Sequence, residues 1–397
     1  METTIEVFFI QKKTIMRFHK RLSVFLFKVI DKLFRIFAVN AKSITIDNVS
    51  CKKYLIFPSE KFIMPKITDI LGNEQLFFEG HEACVPYFYI RELPNAYAFI
   101  NREEVWTENK ELILDHTTQK RNPMRSQFFI NFKCAQKIKG CVAHLSLSGL
   151  EDNYYHWLTE CLSRLYLLKN ADIKPDYYIV NNALPFQKQW LELLGINQKK
   201  IISSQSDENG LIQPDSLVIT TFINNSIPIK YSPDRISYYK MWLPSWIGEQ
   251  YKEIAENIKV EPQNNIYITR KNACYRKIIN ENELIPILDE YNFQIVDLDR
   301  LTVIEQIKVF RSAKVVVGIH GAGLVNMFFA GKTCRILEIY PKNYYDPSFR
   351  LQAKTLGLDY HYLIGDEIRQ EVKQNINPQR RNIKIDKNTF RNALSKL

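Results

Sequence analysis

A histidine and a carboxylate lie four residues apart in the segment Asn153-Tyr154-Tyr155-His156-Trp157-Leu158-Thr159-Glu160. On a helix this spacing places His156 and Glu160 on one face, with Arg164 a turn further on. A neutral imidazole suits a general base near neutral pH, and a neighbouring carboxylate can orient it or take the proton itself. A histidine among aromatic residues is more often structural. The spacing also fits a general base made of this histidine and this carboxylate, and it leaves open which of the two accepts the proton.

A glycine-rich turn, Gly318-Ile319-His320-Gly321-Ala322-Gly323-Leu324, follows an apolar strand and opens a predicted helix. Small residues let backbone N–H groups approach an anion, and a helix N-terminus adds partial positive charge. The turn matches neither the P-loop nor the G-x-G-x-x-G pattern, which disfavours nucleoside triphosphatases and dinucleotide-binding enzymes. The alternative is a tight turn that needs glycine only for packing. We predict a phosphate-binding turn.

Four cations, Arg270, Lys271, Arg276 and Lys277, follow the predicted strand 266–269. A guanidinium group binds two phosphate oxygens as a fork. A solvated basic loop is the common alternative for such a run of charge. The carboxyl ends of parallel strands meet at one edge of a sheet, however, and the glycine turn belongs to the same edge. We therefore predict that Arg270 and Arg276 bind phosphate together with the turn.

Strands alternate with helices from residue 140 onward, which predicts parallel sheets with right-handed crossovers. The predicted strands are 142–148, 177–180, 201–203, 217–220, 266–269, 293–296, 315–318, 336–340 and 360–364. The predicted helices are 153–169, 186–194, a long helix 234–258, 281–291, 303–312, 323–330 and 347–356. A polar break at residues 261–265 separates two runs of alternating strands and helices. We predict an α/β protein with two facing Rossmann-like units and a ligand cleft between them.

Charge and cysteine content restrict the class of protein further. With 54 Lys and Arg against 43 Asp and Glu, the formal net charge is +11, which suits phosphates or anionic surfaces. Seven cysteines without a C-x-x-C pair indicate a reducing compartment, because a zinc site or disulfide framework shows closer pairing. Nucleic-acid binding would rest on the charge alone, since no basic–aromatic module is present.

Residues 14–38 carry apolar and aromatic residues at helical spacing, with basic residues between them. The pattern is typical of an amphipathic helix at an anionic membrane surface, and equally of a helix docked on the protein's own core. Charged residues interrupt the apolar runs, so we expect neither a cleavable signal peptide nor a spanning helix. We expect a cytoplasmic protein that associates peripherally with the inner face of the membrane. Residues 41–135 form a mixed region with short aromatic strands.

Taken together, these segments resemble glycosyltransferase family 61 over residues 140–365. The matching positions are Asn153-Tyr154-Tyr155-His156-Trp157 with Glu160, Thr269-Arg270, Arg276, Asn280-Glu281, Leu284, Glu305-Gln306, Phe310, Ala313, the turn 320–324, Asn326 and Glu338-Ile339-Tyr340-Pro341. The resemblance implies a GT-B fold and inverting transfer from a nucleotide sugar, most often a UDP-sugar, to a glycan or polysaccharide, without metal or cofactor. The composition then favours bacterial surface or capsular polysaccharide synthesis. The alternative is a non-catalytic glycan- or nucleotide-binding protein on the same fold.

The resemblance, with the placement of the residues, also leads to role assignments. We expect His156 and Glu160 to be catalytic. The expected donor-binding residues are Arg270, Arg276, His320, Gly321, Ala322, Gly323, Leu324 and Glu338, the last through the ribose hydroxyls. The expected acceptor-side residues are Asn153, Tyr155 and Trp157.

Asp297-Leu298-Asp299 imitates the manganese-binding pattern of the unrelated GT-A enzymes. In a GT-B enzyme, cationic side chains and a helix terminus balance the pyrophosphate charge. We therefore interpret this segment as a strand end and helix cap. The predicted divisions of the chain are 1–40 for the amphipathic helix, 41–260 for the acceptor-side domain, and 261–397 for the donor-binding domain with a C-terminal tail.

Overall fold

The computed structural model describes residues 43–74, 80–101, 103–114, 130–146, 152–203, 210–221, 227–231, 237–240, 243–260, 264–342, 344 and 346–397. The predicted amphipathic segment 14–38 lies outside these residues, and so do residues 261–263 of the predicted break. Within the described ranges, no helix is long and apolar enough to cross a membrane. The described part is a mixed α/β protein with two large sheets.

The first sheet combines parallel and antiparallel strands. Its strands and those of the hairpin β3–β4 are β1 (Ser43–Ile44), β2 (Lys52–Phe57), β3 (Glu60–Met64), β4 (His81–Val85), β5 (Phe88–Pro94), β6 (Tyr97–Phe99), β7 (Val105–Trp106), β8 (Leu112–Ile113), β9 (Gln136–His144), β10 (Tyr177–Val180), β11 (Ile201–Ser203) and β12 (Leu211–Thr220). The order β12-β9-β10-β11 is parallel throughout, as the alternation predicts. The mixed region supplies β5 and β6, which pair with β12 antiparallel.

The helices of this half begin with one continuous segment that confirms the predicted helix 153–169. The segment consists of α1 (Tyr154–His156), a π-helix (Trp157–Leu162) and α2 (Ser163–Asn170), and α3 (Pro185–Leu193) and α4 (Glu249–Glu256) follow. Short 3-10 turns occupy Ile46–Asn48, Phe132–Cys134, Gln198–Lys200 and Ser245–Gly248.

The predicted long helix 234–258 is wrong. Strands β13 (Ile227–Tyr231) and β14 (Ser237–Lys240) form a hairpin there, and only α4 is helical beyond the 3-10 turn. Pro244 explains the break, because proline disfavours helical backbone at the residue before it and cannot donate a helical hydrogen bond. Tyr238 and Tyr239 also favour a strand over a helix.

The second sheet has the order β16-β15-β17-β18-β19-β20, with only the last strand antiparallel. Its strands are β15 (Asn264–Ile268), β16 (Phe293–Val296), β17 (Ala313–Ile319), β18 (Arg335–Pro341), β19 (Asp359–Glu367) and β20 (Ile383–Lys384). The helices are α5 (Glu281–Glu290), α6 (Val303–Ser312), α7 (Ser348–Leu356), α8 (Arg369–Lys373) and α9 (Lys387–Leu394), with 3-10 segments at Leu298–Arg300, Ala322–Phe329 and Pro378–Arg380. The predicted strand 293–296 and helix 303–312 are confirmed at both ends. The predicted helix 323–330 is a 3-10 helix that begins one residue earlier.

The strand order reverses between β15 and β17. The chain passes from β15 to β16 on one side and later places β17 on the other side. Crossovers on opposite sides leave a crevice at the carboxyl ends of two such strands. Arg270 follows β15 and Gly321 follows β17, so the topology brings both predicted phosphate-binding segments to one crevice.

One buried apolar cluster contains residues from both halves of the chain. Trp190 of α3 stacks on Phe329 with ring centroids 5.7 Å apart, and Tyr251 of α4 stacks on Phe328 at 4.6 Å. The Tyr251 hydroxyl also donates to the carbonyl of Leu158 at 2.6 Å. These contacts fix the π-helix beside the 3-10 helix that follows the glycine turn.

Candidate functional site

Asn153 fixes the start of the helix that carries His156. Its Oδ1 accepts hydrogen bonds from the backbone N–H groups of Tyr155 at 3.0 Å and His156 at 3.4 Å. Asparagine is a favoured N-cap because its side chain satisfies N–H groups that have no partner within the helix. The following turn widens into the π-helix, a geometry that recurs at functional sites.

His156 and Glu160 form the pair that their spacing predicts. Nδ1 of His156 lies 2.5 Å from Oε1 of Glu160, which is 5% exposed, whereas the His156 side chain is 28% exposed. A carboxylate only accepts, so Nδ1 carries the proton and Nε2 is the basic atom. Burial lowers the pKa of His156, but the hydrogen bond and charge of Glu160 and the charge of Asp346 outweigh burial and raise it.

A second histidine–glutamate pair lies at the glycine turn. Nδ1 of His320 lies 2.5 Å from Oε1 of the fully buried Glu338, and the Tyr360 hydroxyl donates to Oε2 of Glu338 at 2.7 Å. Both carboxylate oxygens already have protein donors, so the geometry speaks against the expected contact of Glu338 with ribose hydroxyls. Glu338 instead orients His320, whose Nε2 lies 3.3 Å from the Tyr344 hydroxyl.

Asp346 lies near His320 and interacts electrostatically with His156, and the sequence analysis missed it. Its Oδ1 accepts hydrogen bonds from Ser348 N at 3.0 Å and Ser348 Oγ at 2.5 Å, and its Oδ2 lies 4.0 Å from Nε2 of His320. Burial raises the pKa of Asp346, but the charge of His320, the hydrogen bonds of Ser348 and the charge of His156 lower it overall. The signal available in the sequence was a carboxylate just before the predicted helix 347–356.

Arg270 lies at the glycine turn, and Arg276 lies near enough to affect its pKa. The Arg270 guanidinium occupies the space beside Gly321 that a Cβ would need, and its Nη2 donates to the Tyr275 carbonyl at 3.4 Å. The Arg276 guanidinium carbon lies 5.6 Å from the ring centroid of Tyr344, which also contacts His320. Burial and the like charge of Arg276 lower the pKa of Arg270. Two cations are therefore held close together against mutual repulsion.

Each of these arginines has a buried N–H group without a partner. The Nε atoms of Arg270 and Arg276 are inaccessible to solvent, and no described residue accepts a hydrogen bond from either. A buried unsatisfied donor costs about 1–3 kcal/mol, and more when it is charged. Two such donors on neighbouring guanidinium groups, one of them beside the glycine turn, are suited to an anion.

The crevice is a pocket of about 420 Å³, open solvent included. Its lining comes from the ends of β15, β16 and β17: Ile268, Thr269, Arg270, Asn272, Ala273, Asp297, Leu298, Asp299, Ile319, Gly321, Gly323 and Leu324. Gly323 lies against Leu298, whose Cδ1 would be 2.6 Å from a Cβ at position 323. The Leu324 N–H donates to the Gly321 carbonyl at 3.0 Å, so it serves the turn itself.

Asp297 is a helix cap, which confirms the interpretation of this segment. Its Oδ1 accepts from the Asp299 N–H at 3.3 Å, and its Oδ2 accepts from Asn272 Nδ2 at 3.0 Å. Arg300 Nε lies 3.1 Å from the same Oδ2. The carboxylate is therefore already surrounded by protein donors.

Of the expected acceptor-side residues, Trp157 does not face the cleft. It is fully buried, and its Nε1 donates to the Asn181 carbonyl at 3.3 Å. Tyr155 is 5% exposed and packs on Phe349 with ring centroids 5.4 Å apart. Trp157 therefore supports the helix from the core side, because apolar burial outweighs any surface role for a large indole.

A model of the family Glycosyltransferase 61 matches residues 154–337. This stretch contains His156, Glu160, both arginines and the glycine turn. Residues 154–337 are therefore similar to glycosyltransferase family 61. The resemblance inferred from the sequence is thereby confirmed.

Individual relatives resemble parts of the chain. The EGF domain-specific O-linked N-acetylglucosamine transferase of Drosophila melanogaster is 34% identical over 105 residues, or 25% of this chain and 20% of that protein. An alpha-1,3-arabinosyltransferase of Oryza sativa subsp. japonica is 22% identical over 296 residues, or 66% of this chain and 49% of that protein. A beta-1,2-xylosyltransferase of Arabidopsis thaliana is 36% identical over 64 residues, or 16% of this chain and 12% of that protein. The chain thus spans about half or less of these relatives.

Proposed function

We propose that this protein is an inverting glycosyltransferase that transfers a sugar from a nucleotide-sugar donor, a UDP-sugar in the first instance, to a hydroxyl of a glycan or polysaccharide. The observation that carries the proposal is the crevice between β15 and β17. Arg270 lines that crevice beside the glycine turn, Arg276 lies close enough to lower its pKa, and no described residue accepts a hydrogen bond from the Nε of either arginine. A diphosphate would supply the oxygens that these donors lack. The match of residues 154–337 to family 61 and the names of the relatives support the same reaction type.

In this proposal the two large sheets belong to two facing Rossmann-like domains in the GT-B arrangement. Residues 41–260 would take the acceptor and residues 261–397 the donor. The acceptor class we expect is a surface or capsular polysaccharide, assembled at the inner face of a bacterial membrane. The basic segment 14–38 would attach the protein to that anionic surface.

On the donor side, Arg270, Arg276 and the turn from Gly321 to Gly323 would hold the diphosphate. Negative charge accumulates on that group as the bond to the anomeric carbon breaks. Donors already in place stabilise such charge, and the loss of one costs about 3–4 kcal/mol. Because two guanidinium groups would balance the charge, we expect catalysis without a metal or other cofactor.

On the acceptor side, His156 Nε2 would take the proton of the attacking hydroxyl. Inversion is a direct displacement: the acceptor oxygen forms the new bond to the anomeric carbon, and the nucleotide diphosphate leaves with the electron pair. Glu160 would stabilise the imidazolium that forms. The raised pKa of His156 makes it a stronger base. It also leaves a smaller fraction of His156 deprotonated at low pH.

A ligand screen followed by a transfer assay tests the proposal. The purified chain is heated with UDP-, GDP- and CMP-sugars, since a bound ligand raises the melting temperature by mass action. The stabilising donor is then incubated with glycan fragments, and NMR follows the anomeric configuration of the product. We expect stabilisation by one nucleotide class and an inverted product. No stabilisation by any of them would refute the proposal, and binding without transfer would identify a binding protein instead.

A further inference from the structure

The C-terminal part of the chain packs against the loop after β15 that carries both arginines. The Ile383 N–H of β20 donates to the Lys277 carbonyl, and the Ile279 N–H donates to the Ile383 carbonyl, both at 2.9 Å. Asn382 adds its side chain, whose Oδ1 accepts from the Lys277 N–H at 2.9 Å. Three hydrogen bonds therefore join the start of β20 to the segment that directly follows Arg276.

Glu371 of α8 holds Asn382 in the orientation that this contact needs. Its Oε2 accepts from the Asn382 N–H, and its Oε1 accepts from Asn382 Nδ2, both at 2.7 Å. Because Nδ2 donates to a carboxylate, Oδ1 is left to accept from Lys277. The neighbouring Arg381 is buried and pairs with Glu367 at the end of β19. Side chains of α8 and β19 thus hold the chain just before β20.

Arg276 itself is bound to the same C-terminal part. Its Nη1 donates to the Gln379 carbonyl at 3.1 Å, and its guanidinium carbon lies 4.9 Å from the ring centroid of Tyr275 and 5.6 Å from that of Tyr344. Its φ of 54 is a left-handed value that is costly for a residue with a Cβ, so surrounding contacts have to maintain it. Nη1 is satisfied in this way, whereas Nε is buried and has no acceptor among the described residues.

We propose that Asn382, held by Glu371, is a positioning residue that keeps the guanidinium group of Arg276 in place for the donor diphosphate. This inference rests on the proposed function, and it extends the donor site to C-terminal residues beyond the stretch that matches the family. Tyr344, over which Arg276 lies, has its hydroxyl 3.3 Å from Nε2 of His320. One aromatic ring therefore separates the positioned guanidinium from the histidine of the glycine turn.

Hydrogen exchange of the Lys277 amide tests the contact without any ligand. Asn382→Ala removes the acceptor of this amide, which should then exchange about tenfold faster. Asp386→Ala is the matched control, because it removes an equivalent side-chain acceptor from the Thr389 N–H at 2.8 Å. The control should lower the melting temperature through the lost helix cap and leave the exchange of Lys277 unchanged. Unchanged exchange of Lys277 in Asn382→Ala overturns the inference.

Calorimetric titration of UDP separates positioning from general stability, at a temperature where every variant is folded. Asn382→Ala should weaken UDP binding about five- to tenfold, and Asp386→Ala should bind like the wild type. In an Arg276→Met background, Asn382→Ala should weaken binding by less than about twofold, because the group that it positions is already absent. An equal loss of affinity with and without Arg276 would show that Asn382 acts on stability alone, and would overturn the inference.

A second variant covers the case in which Asn382→Ala does not fold. Glu371→Ala removes both hydrogen bonds to Asn382 and should produce the same two effects at a smaller size. Exchange of Lys277 and UDP affinity that both equal the wild-type values would then overturn the inference. Because the exchange measurement needs no ligand, a wild-type chain that binds no UDP would refute the proposed function separately.

Discussion

Nε2 of His156 is the atom on which proton transfer depends in this account. We expect His156→Ala to reduce turnover roughly 10²–10⁴-fold, because a general base contributes that much. The raised pKa of His156 means that wild-type kcat/KM should rise with pH through a value above 6.5. A pH–rate profile of both proteins checks this. An unchanged acid limb in His156→Ala would place the base elsewhere.

Glu338 is expected to act through His320 and not through the donor. Glu338→Gln weakens two charge-assisted hydrogen bonds in the core, so we expect a loss of about 1.5–3 kcal/mol in the free energy of unfolding, measured with urea. The ratio of affinities for UDP and 2′-deoxy-UDP should stay unchanged. A variant that keeps wild-type stability but loses this discrimination would restore the ribose role of Glu338.

At the scale of secondary-structure elements, the turn needs glycine at position 321 because a Cβ has no room there. The backbone conformation at this position does not itself require glycine. Gly321 has φ 177, an extended value that any residue adopts, but a Cβ there would collide with the Arg270 guanidinium. We expect Gly321→Ala to weaken UDP binding on the order of tenfold by displacing that cation. Gly331→Ala is the matched control, since nothing lies within 4 Å of its added Cβ. Equal affinities in the two variants would contradict this role of the turn.

The sequence predicts helices and strands best where the spacing of apolar residues and the capping or turn residues indicate the same boundaries. Helix α6 is predicted correctly because Thr302 and Glu305 form a capping box before an apolar face. The predicted helix 234–258 is wrong because a hairpin forms in its first part and Pro244 disfavours helical backbone before it. The sequence does not place the individual strands of residues 43–114, because strands such as β5 and β6 gain their stability from pairing with β12, a contact that is distant in sequence.

At the scale of the molecule, the sequence predicts those parts of the site whose residues lie close together along the chain. His156 and Glu160 follow from helical spacing, whereas the His320–Glu338 pair needs the register of β17 and β18, in which Gly318 opposes Glu338. Asp346 comes near His320 only through the packing of the folded chain, and its one signal in the sequence is its place just before the predicted helix 347–356.

The N-terminal segment carries a prediction of its own. Each basic residue near an anionic membrane contributes about 1 kcal/mol, so deletion of residues 1–38 should release the protein from anionic vesicles and leave donor hydrolysis intact. Co-sedimentation of the full and shortened chains with such vesicles measures this. Equal sedimentation of both would assign membrane binding to another surface, or to none.

Calorimetric titration of UDP into the protein tests the central claim most directly. Arg270→Met removes the guanidinium group that lines the crevice, whereas Lys271→Met removes the exposed neighbouring charge. A hydrogen bond to a charged group contributes about 1.5–3 kcal/mol, so we expect Arg270→Met to weaken UDP binding about 10- to 100-fold. Lys271→Met should bind like the wild type. If the chain binds UDP and Arg270→Met retains that affinity, the donor does not lie between β15 and β17.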